Sequence, residues 1–155
     1  MSPPRIDVDE LIERLQALRP EQRAAALVFD ADGTLWSGDV SEDVFEHAAD
    51  EGLLRVDAAD ALAKTATESG IDATGTPSAI AKRLFRAYTE DRFGEREVCE
   101  VMTWCYAGFT PDELVALARE VLAQRGLAAR INRRLEPIIE YARSSGLRAL
   151  VVSAS

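Results

Sequence analysis

The chain has 155 residues, 47% of them hydrophobic, with 18 basic against 27 acidic side chains and a formal net charge of −9. That length suffices for a domain with a core of its own. The acidic balance excludes bulk neutralisation of nucleic-acid phosphates, and no apolar run reaches the length of a membrane span. Met1-Ser2-Pro3-Pro4-Arg5 leads into no apolar stretch of the signal-peptide kind. The expected setting is cytoplasmic, with no membrane and no nucleic acid as partner, and with Cys99 and Cys105 as reduced core thiols rather than a metal or redox motif.

Residues 7 to 19 place Val8, Leu11, Ile12, Leu15 and Leu18 on one helical stripe, with Asp7 and Glu10 spaced as a capping box and Pro20 as the stop. Ala26-Leu27-Val28-Phe29 is short and continuously apolar, which predicts a buried strand of a parallel sheet. A loop, Trp36 to Val40, follows the acidic turn that ends this strand. Ser41 is then expected to cap a helix running to about Asp50, with Val44, Phe45 and Ala48 inside.

Residues 56 to 69 are Ala-rich and helical, stopped by Gly70. Thr76-Pro77 and Thr110-Pro111 each read as N-cap and first helical position. The first carries Ile80, Leu84, Phe85 and Tyr88 as its stripe, and the second carries Leu114, Leu117, Ala118, Val121 and Leu122. Between them, residues 95 to 107 place Val98, Val101, Met102 and Cys105 at helical spacing. Residues 137 to 145 form a last helix, and Leu147 to Ser153 a second apolar strand ending in a hydroxyl. No strand is expected between Trp36 and about Leu135, so two parallel strands enclose an all-helical insert in their crossover.

The chemistry gathers at Asp30-Ala31-Asp32-Gly33-Thr34. In open α/β sheets ligands bind at the carboxyl ends of strands, and both carboxylates stand there. Gly33 lets the chain turn and Thr34 adds a hydroxyl. Carboxylates this close repel unless a cation lies between them or one keeps its proton. Mg²⁺ takes oxygen ligands from one or two carboxylates plus substrate phosphate. A carboxylate can also attack phosphorus to form an aspartyl-phosphate. The competing readings are an acidic turn that merely caps the next helix and a calcium loop. The calcium loop wants Gly at position 6 and Glu at position 12, whereas counting from Asp30 puts Gly33 at position 4 and Ser41 at position 12. His47, the single histidine, has no Gly-x-Ser-x-Gly elbow to make it part of a triad.

An apolar strand followed by Asp30-Ala31-Asp32-Gly33-Thr34 resembles the first motif, Asp-x-Asp-x-Thr, of the haloacid dehalogenase-like (HAD) hydrolase superfamily. The helical insert resembles the cap of its phosphoserine-phosphatase-like branch, and the strand ending in Ser153 resembles its second motif. The resemblance implies an α/β fold: a partial Rossmann-like core over residues 1–35 and 136–155, with a helical cap over residues 36–135. It implies Asp30 as nucleophile and Asp32 as general acid/base, both at the Mg²⁺ site, Asp32 through its backbone carbonyl. Gly33, Thr34 and Ser153 would serve the phosphate, and Asp39, nine residues after Asp30, would contact the substrate.

The function implied is Mg²⁺-dependent hydrolysis of a small phosphorylated metabolite, with phosphotransfer to an alcohol as the neighbouring alternative. The superfamily's third motif supplies a Lys or Arg, and its fourth one or two acids. Neither follows Ser153 in this sequence, and Lys64 and Lys82 both fall in the insert. The missing groups are expected from a further C-terminal segment or from another chain, such as a second copy. The alternative from another class is a non-catalytic helical binding module that keeps a vestigial phosphate or Mg²⁺ site.

Overall fold

Strand β1, Ala26–Phe29, pairs in parallel with β2, Arg148–Val151, in the register Ala26↔Arg148 through Phe29↔Val151. The computed structural model that contains this pair describes residues 6–18 and 25–153. Among these residues the fold is mixed α/β, with eight α-helices and a sheet of two parallel strands. The chain divides into two units, residues 1–39 with 127–155 and residues 40–126.

The first unit holds both strands. Its helix α1, Val8–Ala17, is capped by the Asp7 carboxylate, which accepts from the Glu10 amide at 2.8 Å. Residue 19 and Pro20, the expected end of this helix, lie outside the described residues. The helix packs against α8, Glu136–Ser144, which in turn packs against β2. Pro137 sits in the first turn of α8, where a missing N–H breaks no intrahelical bond. Ile138, Ala142 and Leu147 form the buried side of this arrangement.

The strands depart from expectation in burial. A continuous apolar run predicts cover on both faces, yet Val28 is 61% exposed and every residue of β2 is exposed. The physical reason is the size of the sheet: each strand has one neighbour among the described residues, and within its unit β2 packs against α8. Side chains pointing to the opposite face of a two-stranded ribbon meet no second layer there.

The second unit is helical throughout: α2 (Val40–Asp50), α3 (Ala59–Glu68), α4 (Pro77–Thr89), α5 (Glu95–Trp104) and α6 (Pro111–Gln124). Helix α2 starts one residue before Ser41, and α3 is preceded by a 3-10 turn at Val56–Ala58. Both Thr-Pro starts behave as the sequence predicts. Thr76 Oγ1 accepts from the Ala79 amide at 3.3 Å, and Thr110 with Glu113 makes a full capping box. Phe45, Leu62, Leu84, Val101 and Val121 are fully buried where α2 packs on α4 and α6 and where α3 and α5 pack on α4.

The stripe on α5 runs through Val98, Val101 and Cys105, all buried. Cys99 stands about 100° round the helix from Val98 and is exposed, which corrects its expected place in the core. The aromatic residues at the end of α5 and just beyond it divide in the same way. Trp104 is 52% exposed, whereas Tyr106 and Phe109 meet edge to face at 6.5 Å. The Arg55 guanidinium lies 4.2 Å from the centre of the Phe109 ring, donates to the Gly108 carbonyl at 2.5 Å and pairs with Glu113 at 2.7 Å. One side chain thus ties the start of α3 to the start of α6.

Candidate active site

Immediately after β1 the chain makes one tight turn, with the Thr34 and Leu35 amides both donating to the Ala31 carbonyl, at 3.1 and 2.8 Å. Gly33 takes φ +72°, a left-handed conformation that a side chain would strain. Ala31, between the two acids, is 2% exposed and anchors the turn, so Asp30 and Asp32 are displayed on either side of a buried residue.

Each carboxylate has a donor from the same turn. The Thr34 hydroxyl donates to Asp30 Oδ2 at 3.1 Å. The Trp36 indole Nε1–H donates to Asp32 Oδ1 at 2.7 Å. The i→i+4 spacing of both pairs follows from the Leu35-to-Ala31 bond, which closes one helical turn and brings residues four apart to one side.

The second strand completes the site. The Val152 amide donates to the Phe29 carbonyl at 2.9 Å, carrying the pairing past β2. Ser153 then reaches Asp32, its hydroxyl donating to Oδ2 at 3.3 Å. The parallel register brings the carboxyl ends of both strands to the same edge, so residues 121 apart in sequence meet.

Behind the turn stands a support that the sequence reading did not find. The short helix α7, Leu127–Arg130, and the residues after it run beside the acidic turn. Asn132 Nδ2 donates to the Thr34 carbonyl at 3.0 Å, and the Asn132 amide donates to the Leu35 carbonyl at 2.8 Å. The Ser37 amide donates to the Arg130 carbonyl at 3.0 Å, and Trp36 bridges Ile131 in antiparallel fashion. Residues 127–135, which the sequence assigned to the helical insert, belong by their contacts to the strand-bearing unit. Nothing local in Ile131-Asn132-Arg133 signals a partner 98 residues earlier. The one hint in the sequence is an Asn between two short helical segments, which offers a donor and an acceptor on one side chain.

Of the sequence-predicted site residues, Asp30, Asp32, Gly33, Thr34 and Ser153 are gathered at this edge. Asp39 is half-buried at the end of the loop, directly before α2. Thr34 faces Asp30, and Ser153 faces Asp32.

Among the described residues there is no cluster of three or more His, Cys, Asp or Glu side chains that could hold a metal ion by itself. The donor set at the turn is two carboxylates, and Asp30 Oδ1 takes no hydrogen bond among the described residues. That set fits a cation that keeps waters and shares substrate oxygens, as Mg²⁺ does, and does not fit one that needs an all-protein cage. In the helical unit a concavity of about 480 Å³ is lined by Phe45, Phe85, Lys82 and Arg125 among others. Lys82 and Arg125 are paired there with Asp50 and Glu46, at 2.7 and 3.5 Å.

No helix among the described residues is long and apolar enough to cross a membrane. Comparison of the chain with family models, with curated proteins and with solved structures finds no match in any of the three.

Proposed function

We propose that this chain carries the nucleophile and the general acid/base of a Mg²⁺-dependent phosphatase of the HAD type, acting on a small phosphate monoester. One observation carries the reading. Two carboxylates on a single turn at the carboxyl end of a parallel strand are joined by a hydroxyl from the end of the neighbouring strand, Ser153 to Asp32 at 3.3 Å. Ligand sites of open parallel sheets form at this edge, and the donor set is the oxygen-rich one that phosphoryl chemistry uses.

In this reading Asp30 attacks phosphorus. A bond forms from its carboxylate oxygen to phosphorus while the ester P–O bond breaks, and Asp32 passes its proton to the departing alkoxide. Asp32, now a carboxylate, takes a proton from water. The water oxygen displaces Asp30 from phosphorus and inorganic phosphate leaves. Thr34 holds Asp30 for in-line attack, and Ser153 marks where phosphoryl oxygens dock. A bound Mg²⁺, held by the Asp30 carboxylate and the Asp32 backbone carbonyl, would neutralise phosphoryl charge.

In the same reading the helical unit, residues 40–126 rather than the 36–135 read from the sequence, plays the part of the substrate-selecting cap. The remaining cation and metal-binding acid come from a further segment or a second chain. A cytoplasmic setting belongs to the same reading and rests on the two free thiols, Cys99 and Cys105.

The test is hydrolysis of p-nitrophenyl phosphate with and without Mg²⁺, using Asp30→Asn as control. The expected result is Mg²⁺-dependent turnover that falls by more than about a thousandfold in the variant. Turnover that survives Asp30→Asn would overturn the nucleophile assignment. An inactive wild-type chain that still binds Mg²⁺ and a phosphate mimic by calorimetry would favour the binding module.

A further inference from the structure

The concavity of the helical unit has a floor that belongs to the core. Phe45 and Ala49, four residues apart on α2, line it and are 1% and 2% exposed. Phe85 on α4 faces them, its ring 5.0 Å from that of Phe45, centre to centre. The volume of about 480 Å³ is that of a small-ligand site.

The walls are charged. Lys82 on α4 pairs with Asp50 on α2 at 2.7 Å, and Arg125, the C-cap of α6, lies 3.5 Å from Glu46 on α2. Exposed pairs of this kind add little stability, but each joins two helices and fixes where a long side chain lies. Arg86, four residues after Lys82 on the same face of α4, makes no ion pair among the described residues. The Thr89 hydroxyl, three residues further on, gives its hydrogen to the Arg86 carbonyl at 2.9 Å. The lining thus holds Lys82, Arg86 and Arg125 against Glu46 and Asp50, one positive charge in excess, in a chain of net charge −9.

We propose that this concavity binds a small organic monocarboxylate, with its apolar or aromatic body on Phe45 and Phe85 and its carboxylate on Arg86. A guanidinium presents parallel N–H donors that match a planar carboxylate, and one excess positive charge is met by one negative charge. The aromatic floor receives the body of the ligand without leaving a polar group unpaired. The inference goes beyond the phosphatase reading and does not rest on it. Every lining residue lies in the helical unit, and neither Asp30 nor a metal ion takes part.

The experiment titrates the full chain with benzoate, phenylacetate and hydrocinnamate, followed by methyl NMR. The three probes share a ring and a carboxylate and differ in reach. The expected result is that at least one of them moves the Ala49 and Thr89 methyl signals, with a Kd of about 1 mM or tighter. Acetate, which lacks the ring, and phenethylammonium, which reverses the charge, should leave those signals in place. Arg86→Gln removes the guanidinium from an exposed position and should weaken binding at least about tenfold. Arg96→Gln makes the same change of charge on α5, outside the concavity, and should leave the affinity within about twofold of the wild type.

No movement with any of the three carboxylates overturns the proposal, as does wild-type affinity in Arg86→Gln. Equal binding of phenethylammonium would leave only an apolar groove, and equal losses in Arg86→Gln and Arg96→Gln would reduce the effect to net charge; either result overturns it as well. Tighter binding of phenylphosphonate than of all three carboxylates would overturn the choice of ligand class. The comparison of probes needs no variant, so it decides the matter even where Arg86→Gln disturbs the fold.

Discussion

Asn132 and Thr34 are 98 residues apart in sequence, yet the Asn132 side-chain amide donates to the Thr34 carbonyl at 3.0 Å in a part-buried contact. The bond fastens the acidic turn to the segment after α7. The same asparagine accepts from the Arg134 amide through Oδ1 at 3.3 Å, so its two polar ends bind two segments at once.

Asn132→Asp keeps the acceptor and removes the donor, setting a carboxylate against a carbonyl. We expect a loss of about 1–3 kcal/mol in stability, measured by urea unfolding. If the phosphatase reading holds, turnover on p-nitrophenyl phosphate falls as well, because Thr34 and with it Asp30 lose their backing. A variant as stable as the wild type would show that the contact is idle.

In the helical unit Leu84 lies fully buried in the core with Phe45, Leu62 and Val101. Leu84→Ala should cost about 2–5 kcal/mol by deleting buried methyl groups and leaving a cavity. Leu53→Ala is the control: Leu53 is 40% exposed, and its truncation should stay within about 1 kcal/mol. Denaturant midpoints at constant m-value measure both.

The Arg55–Glu113 pair sets a pH dependence. The hydrogen bond from Arg55, followed by those from the Thr110 amide and hydroxyl, holds the Glu113 carboxyl down at about 2. The folded value lies below the ordinary 4.5, so the stabilisation is complete above about pH 4.5 and is lost as the pH falls toward 2. Both side chains are well exposed, so the effect is modest and shrinks with added salt. In thermal melts at low ionic strength, the gap between wild type and Glu113→Gln should close between pH 5 and pH 2. A gap that stays constant over that range would remove the pair from the account.

The two cysteines should react on different clocks. Cys99 is exposed, whereas Cys105 is buried and its thiol is pushed up to about 12 by desolvation. Because the thiolate is the reactive form, one thiol per chain should titrate with a disulfide reagent in native buffer, and two in denaturant. Cys99→Ser should abolish the native reaction. Two fast thiols in native buffer would contradict the placement of α5.

By itself the sequence determined what depends on neighbours along the chain. Helix starts at Thr76 and Thr110 were legible because a cap needs only residues three apart. The inner faces of α2, α4 and α5 were legible because helical period alone selects them. The acidic turn was legible because Asp30, Asp32, Gly33 and Thr34 are contiguous. Ser153 was reached through its place at the end of a second strand, and the parallel register accounts for its meeting Asp32.

The tertiary structure decided what depends on contacts without a local signal. Apolar content predicted buried strands, but burial is a property of what packs on a strand, and Val28 and Val151 are exposed. Two cysteines with the same composition argument separated into surface and core because Cys99 stands on the outer face of α5 and Cys105, its C-cap, continues the inner one. Trp36 read as a loop residue until the turn placed its indole on Asp32, and Asn132 had no role until the segment after α7 was laid beside Thr34. The sequence names the groups that can do chemistry, and the long-range hydrogen bonds decide which atom of each group is aimed at which partner.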